Sequence, residues 1–437
     1  SPDIRIKYAA NYAYISNYYK YFIGQNQGLK RLNIIEKKRN DEKVFTNWVN
    51  ADPSRITDYG NILADYDKIY SLYKKCNPVY IYLEEAALGT EILIYAYKLN
   101  SLHSALKGDN KDEIKAEIEA AKKVTEENFK NYNAPTDKKI FAALLKMYYE
   151  DIPKEMHPEV FTEVTKKYKG DFNKYADYVF KKSILTDSVK MKVFLANPDP
   201  KILDKDPAFH TMNSILNAFS VNTAPMLRAI FAKKDENNAL YTKALMEMNK
   251  GQKLYPDANF TMRLTYGTIQ DYEPCDAVHY DYFTTLSGIA EKEDSSNEEF
   301  VVPPKLIDLF KKKDFGKYAD ENGVMHVCFI SNNDITGGNS GSPVINGEGQ
   351  LIGTAFDGNW EAMSGDIVYE PDLQRCISVD IRYILFLIDK FAGAGHLIQE
   401  MTLVENTAGS SPQIKKDIAP GSPDNTEEIV KPKTKGK

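Results

Sequence analysis

From Ile4 to about Lys253 apolar residues recur at spacings of three and four, with few alternating runs, which predicts a helical region. Tyr8, Tyr12, Ile15, Tyr19 and Phe22 fall on one face of a first helix and are expected to form a core stripe. Further helices are predicted over 55–75, 79–106, 111–131, 136–150, 158–181, 187–196, 207–233 and 236–250. Thr186 or Asp187 suits an N-cap, and Pro198 and Pro200 mark a break. The most apolar long run, 78–106, is interrupted by Glu84, Glu85, Glu91 and Lys98 before it reaches membrane-spanning length, so it reads as a buried helix. The charged run Lys107 to Lys130 reads as a solvated helix face, and no repeat of fixed period occurs.

Past residue 255 the period changes to two. Phe260 to Gln270, Val278 to Leu286 and Val324 to Ile330 alternate as strands do. Between the last two lie an acidic loop, Glu291 to Glu299, and a short amphipathic helix, Pro303 to Lys313. Pro343 to Asn346, the turn Gly347-Glu348-Gly349 and Leu351 to Phe356 predict a β-hairpin. A loop at Asp357-Gly358-Asn359-Trp360, a strand at Cys376 to Val379 and a helix at Ile381 to Phe391 follow. The expected class is α+β, with a helical domain at 1–255, a β domain at 256–403 and a disordered tail at 404–437 rich in Pro, Gly, Ser, Lys and Glu.

A chain of 437 residues can bury more than one core, consistent with two domains. A net charge of -6 without a concentrated basic patch argues against nucleic acid as a partner. Cys76, Cys275, Cys328 and Cys376 are scattered without CxxC spacing, which argues against a zinc site and leaves one disulfide open. The chain starts Ser1-Pro2-Asp3-Ile4-Arg5, with neither an initiator methionine nor a signal sequence, which suggests a processed or truncated product.

Candidate chemistry sits in Thr336-Gly337-Gly338-Asn339-Ser340-Gly341-Ser342-Pro343. A serine flanked by glycines lies on a turn that side chains would block, so its hydroxyl can be presented while neighbouring N–H groups stay bare. In acyl transfer the N–H groups of Ser340 and of Gly338, two residues before it, could stabilise the oxyanion. The bland alternative is a Gly/Ser/Asn hairpin loop. Gly-Asn-Ser-Gly-Ser-Pro at the entrance of a hairpin resembles the nucleophile loop of chymotrypsin-fold serine proteases, especially bacterial forms.

Such a site needs a histidine base and an acid. Five histidines precede the serine: His103, His157 and His210 in helical surroundings, and His279 and His326 in strand-like stretches close to it. Each reads as a structural histidine, so the chain is expected to carry a nucleophile without its base.

The resemblance extends further. Phe356 to Asp366, Val379 to Tyr383, Asp389 to Ile398, Leu264 to Gly267 and Ser16 to Lys20 all resemble the C-terminal part of the bacterial dipeptidyl-peptidases 7 and 11, from about residue 1 to 403. The resemblance implies a chymotrypsin-type double β-barrel with a helical cap inserted between the barrels. Residues 1–255 then correspond to most of the cap and 256–403 to the second barrel, while the first barrel, with the family's histidine and aspartate, has no counterpart.

On that resemblance Ser340 is the nucleophile, and Asn17 and Asp357 hold the terminal ammonium of a substrate. Read without it, Asn17 is a solvated helix residue, and Asp357 and Gly358 are ordinary turn residues. Gly358 aligns with the position that separates the branches: arginine there pairs with acidic second residues, whereas glycine leaves an open, uncharged pocket for aliphatic or aromatic ones. The implied activity is release of dipeptides from the free N-terminus of oligopeptides through an acyl-enzyme, without metal or organic cofactor, by a periplasmic or cell-surface homodimer. Two alternatives are a glutamyl-specific serine endopeptidase, disfavoured by the long helical region, and a non-catalytic peptide-binding module.

Overall fold

The computed structural model describes residues 2–252, 254 and 261–404. The boundary expected at 255–256 and the tail expected beyond residue 404 lie outside them. Two compact units are present: one runs to Leu264 and takes in Asp366–Val368, and the other comprises Thr265–Gly365 and resumes at Tyr369.

The first unit is helical: α1 (Pro2–Arg31), α2 (Ile34–Asn50), α3 (Pro53–Tyr59), α4 (Ile62–Ile81), α5 (Glu91–Lys98), α6 (Asn100–Leu106), α7 (Lys111–Lys130), α8 (Ala134–Asp151), α9 (Glu159–Tyr168), α10 (Phe172–Lys182), α11 (Ser188–Ala196), α12 (Pro200–Asp204), α13 (Pro207–Asn222) and α14 (Ala224–Met248). Many of the starts are set by a short acceptor side chain on free N–H groups: Asp52, Asn110, Asn133, Asp171, Asp187, Asp199 and Asp206. Asp187 is thus the cap, not Thr186.

Four predicted helices break, three of them where the local chemistry demands it. The 55–75 helix divides at Gly60, and 158–181 divides where Lys169 and Gly170 turn left-handed (φ 57° and 75°) before the Asp171 cap. The boundary expected between 233 and 236 lies at Thr223, because Pro225 has no N–H to continue α13 but suits the first turn of α14. The 79–106 helix is interrupted by a π turn, Tyr82–Ala87, and restarts at α5. That restart is imposed from afar: the buried Asp137 carboxylate accepts from the N–H groups of Glu91 (2.8 Å) and Ile92 (2.9 Å), and from the Tyr132 hydroxyl (3.1 Å).

The main core gathers Tyr95, Phe141, Tyr148, Phe161 and Tyr175, and a smaller one Phe45, Val49, Tyr59 and Ile62. The α1 stripe is not core. Tyr12, Ile15, Tyr19 and Phe22 are exposed, and only Gly24 and Gly28 of this helix are buried. Spacing establishes that one face is apolar, not that a neighbour covers it; α1 is instead tied to α5 through Lys7 and Tyr8, both bonded to Glu91.

In the second unit β1 (Tyr272–Cys275) and β2 (Val278–Tyr280) form a two-stranded ribbon around Ala277, which is left-handed at φ 61°. β3 (Phe283–Thr285), α15 (Leu286–Glu291), α16 (Pro304–Lys312), β4 (His326–Ser331), β5 (Pro343–Ile345), β6 (Leu351–Gly358), β7 (Cys376–Asp380), α17 (Ile381–Phe386) and α18 (Gly395–Gln399) follow. A five-stranded antiparallel sheet runs β3-β4-β7-β6-β5. Its core combines Leu286, Leu306, Phe315, Met325, Val327 and Phe386. The chain is therefore α+β.

Two strand expectations change. The described part of 260–270 is irregular apart from one bridge, Ile269 to Ser331, and it exposes Met262, Leu264 and Tyr266. Val278 to Leu286 is divided, because β2 and β3 belong to different sheets. The helix expected over Ile381 to Phe391 ends as a π turn, Leu387–Phe391.

Burial pushes the Asp137 carboxyl up to about 6 from an ordinary 3.8. Between those values the folded state keeps a proton that the unfolded chain releases, so stability falls as pH rises, by at most about 1.4 kcal/mol per pH unit. Asp137→Asn cannot ionise. In urea unfolding of both proteins the wild type is expected to lose ground to the variant between about pH 4 and pH 6; parallel pH profiles would contradict the assignment.

Candidate active site

β4 leads into the loop 332–342 and β5 leads out of it. Asn339 braces the loop: its side-chain oxygen accepts from the Thr336 N–H (3.1 Å), its N–H donates to the Thr336 carbonyl (3.2 Å), and its carbonyl accepts from Ser342 (3.0 Å). Gly338 adopts φ 105°, a conformation side-chain-bearing residues rarely adopt. The loop's end docks on β6, with Gly341 donating to the Ala355 carbonyl (2.7 Å) and Ala355 donating back to Ser342 (3.0 Å).

Ser340 is exposed, and its hydroxyl donates to the Phe356 carbonyl at 3.3 Å. This is long for an O–H···O bond, so the hydroxyl is weakly held. The acceptor exists because β6 bulges there: Ala355 pairs with Ser378 and Asp357 with Ile377, which leaves Phe356 without a partner across the sheet. Among the described residues neither the N–H of Gly338 nor that of Ser340 has an acceptor.

Asp357 and Gly358 close β6. Asp357 is exposed, and its carboxylate accepts from the Gly358 N–H at 2.8 Å. A Cβ on Gly358 would lie 3.0 Å from the Ala362 methyl and 3.5 Å from Met363 Cε. Apolar side chains fill that direction, so it is not the open space expected beside this glycine. Asn359, buried, then fixes the strand end: its side chain accepts from Ala362 (3.1 Å) and Arg375 (2.9 Å) N–H groups and donates to the Leu373 carbonyl (2.8 Å).

Gly338, Ser340, Asp357 and Gly358 thus come together in the second unit. Asn17 is an exposed residue of α1 in the first. The five histidines that precede the serine are engaged elsewhere. His326 lies at the start of β4, five residues from Ser331 and hence about 16 Å along the strand from the loop. It is buried, stacks on Phe283 (4.1 Å between centroids) and bonds to Asp320 at 3.0 Å. The N–H of Val324, and then His326, hold the Asp320 carboxyl below the usual carboxylate range. His279, on the β1–β2 ribbon, lies among Asp271, Glu273 and Asp281 at 3.4–3.7 Å. His103 pairs with Asp204, His157 meets the Ile152 carbonyl, and His210 faces Glu163.

Sequence reasoning missed Phe356, Asn332, Tyr369 and Arg375. A bulge leaves no periodic signature, and the contacts of the other three are distant in sequence. The visible hint was Arg375, a lone charge at the head of an apolar strand. Among the described residues all four cysteines are free, and no grouping of His, Cys, Asp and Glu could hold a metal ion.

Residues 1–403 match the Peptidase S46 family. The chain is 43% identical over 406 residues to dipeptidyl-peptidase 7 of Porphyromonas gingivalis, covering 92% of this chain and 55% of that protein. It is 39% identical over 405 residues to the Asp/Glu-specific dipeptidyl-peptidase of Flavobacterium psychrophilum, covering 92% and 56%. A crystal structure of Porphyromonas endodontalis DPP11 in complex with the dipeptide Arg-Glu has a TM-score of 0.82 at 36% identity, covering 92% of this chain and 57% of that one. The chain spans about half the length of the curated relatives it matches. It belongs to the Peptidase S46 family.

Proposed function

We propose that the protein is a serine dipeptidyl-peptidase releasing dipeptides from the free N-terminus of oligopeptides. The observation that carries this reading is Ser340: an exposed, weakly held hydroxyl beside two free N–H groups, docked against the strand that ends in Asp357-Gly358, in a chain of a peptidase family.

In this reading Asp357 holds the substrate's ammonium. A charge-assisted bond to a cation is directional and contributes about 1.5–3 kcal/mol. On the family resemblance alone, Asn17 is a second ligand of the same ammonium. Anchoring the terminus places the carbonyl after the second residue at Ser340. A base removes the hydroxyl proton as Oγ attacks, and the N–H groups of Gly338 and Ser340 stabilise the oxyanion. The base then protonates the departing amine, leaving a dipeptidyl ester on Ser340 that water hydrolyses.

None of the described histidines is bonded to Ser340, so we assign the base and its acid to the part of the relatives' length that this chain does not span. The second unit would then be one barrel of a double barrel, and the 437-residue chain alone would bind without turning over. Ala362 and Met363 beside Gly358 support a preference for a hydrophobic second residue, whose burial contributes roughly 1.5–3 kcal/mol. A periplasmic or cell-surface homodimer remains the proposed setting.

Assays with a fluorogenic peptide bearing a free N-terminus and a hydrophobic second residue are expected to show dipeptide release by the complete gene product. Ser340→Ala should reduce kcat at least about 10⁴-fold, and N-acetylation of the substrate should abolish cleavage. Cleavage of the blocked peptide, or activity that survives the substitution, would overturn the reading. Asp357→Asn is expected to lower kcat/KM about 10–100-fold, mainly through KM; an unchanged KM would remove Asp357 from the anchor. Gly358→Arg should raise cleavage after acidic second residues relative to hydrophobic ones, once Ala362 yields by a few tenths of an ångström. An unaltered ratio would show that residue 358 does not set specificity.

A further inference from the structure

Arg375 is 3% exposed, yet among the described residues its guanidinium bonds to no carboxylate. It bonds to five backbone carbonyls instead. Those of Pro371 (2.8 Å), Asp372 (3.1 Å) and Gln374 (2.8 Å) belong to the approach to β7, and those of Gln270 (3.3 Å) and Asp271 (2.7 Å) to the segment before β1. A planar cation with five donors is the side chain that can satisfy this many acceptors from two separate segments. Its backbone is joined in both directions to Asn359, the residue after Gly358: Asn359 donates to the Arg375 carbonyl (3.0 Å), and Arg375 donates to the Asn359 side chain (2.9 Å).

The other end of the segment 267–271 is fixed just as tightly to the foot of the serine loop. The Asn332 side chain accepts from the Thr268 N–H (2.7 Å), and its N–H donates to the Thr268 carbonyl (3.1 Å). Gly267 passes so close that a Cβ would lie 2.5 Å from Asn332 Oδ1 and 2.9 Å from the Asn333 nitrogen. The Tyr369 hydroxyl holds the Asn332 carbonyl from the other side at 2.5 Å.

We propose that the segment Gly267–Asp271 is a strap that couples the serine loop to the Asp357-Gly358 strand end, with Asn332 and Arg375 as the positioning residues that clamp its two ends. The proposal rests on the dipeptidyl-peptidase reading for its consequence, since a two-residue product requires a fixed separation between ammonium anchor and oxyanion site. The β5–β6 pairing fixes the far side of the loop, after Ser340. The strap fixes the near side, which carries Gly338.

Hydrogen exchange on the complete protein tests the coupling without relying on activity. Arg375→Lys retains the charge but offers three donors in place of five. It is expected to speed exchange at least about 10-fold in residues 267–271 and also in 332–339, which Arg375 does not touch. Acceleration confined to 371–376 would overturn the strap. Asn332→Ala probes it from the other end, with acceleration expected at 357–360, and serves alone should Arg375→Lys fail to keep wild-type exchange in α4 and α14. In turnover, the effects of the two substitutions on kcat/KM should be each about 10–100-fold and less than additive when combined. Full additivity would contradict a shared strap. A wild type that releases no dipeptide would sink the functional reading while leaving the exchange result to decide the strap.

Discussion

Two backbone hydrogen bonds between Gly341-Ser342 and Ala355 hold the candidate site together. They dock the end of a loop that glycine alone can bend through φ 105° onto the strand that ends in Asp357-Gly358. The bulge at Phe356 then does something a regular ladder could not, because it turns a carbonyl out of the pairing and toward Ser340. The Ser340 hydroxyl, the free N–H groups and the Asp357 carboxylate are set by backbone geometry more than by side-chain contacts, which keeps the serine exposed while its surroundings stay fixed.

The two units solve burial differently. The helical unit packs aromatic side chains around Tyr95, Phe141 and Tyr175 and anchors helix starts with buried carboxylates such as Asp137 and Asp206. Removing the acceptor would leave two backbone N–H groups unsatisfied at Asp137 and three at Asp206, a cost of about 1–3 kcal/mol for each group. The β unit instead uses two of its buried polar residues, Asn359 and Arg375, to fix the end of one strand.

What the sequence made legible follows from how local each signal was. The hairpin around Gly347-Glu348-Gly349 and the cap at Asp187 depend on residues a few positions apart, and both could be read directly. The restart of α5 depends on Asp137, some 45 residues away, and left no local mark; the lock on the 358–359 strand end depends on Arg375, whose lone charge was visible but whose partners were not. Periodicity found the apolar face of α1 but could not tell whether anything covers it, and that face is exposed. The Ser340 loop was legible as a turn because glycines lie on either side of the serine; Asp357 was singled out only by the family resemblance, since its spacing alone is that of any turn aspartate, and the structure puts it at the end of β6.

Mass spectrometry of the complete protein, quenched during turnover of a slowly deacylating dipeptidyl ester, addresses the central claim most directly. The predicted result is a dipeptidyl adduct on Ser340, formed from the ester with a free N-terminus and not from its N-acetylated counterpart. An adduct on another residue, or equal labelling by the blocked ester, would contradict it.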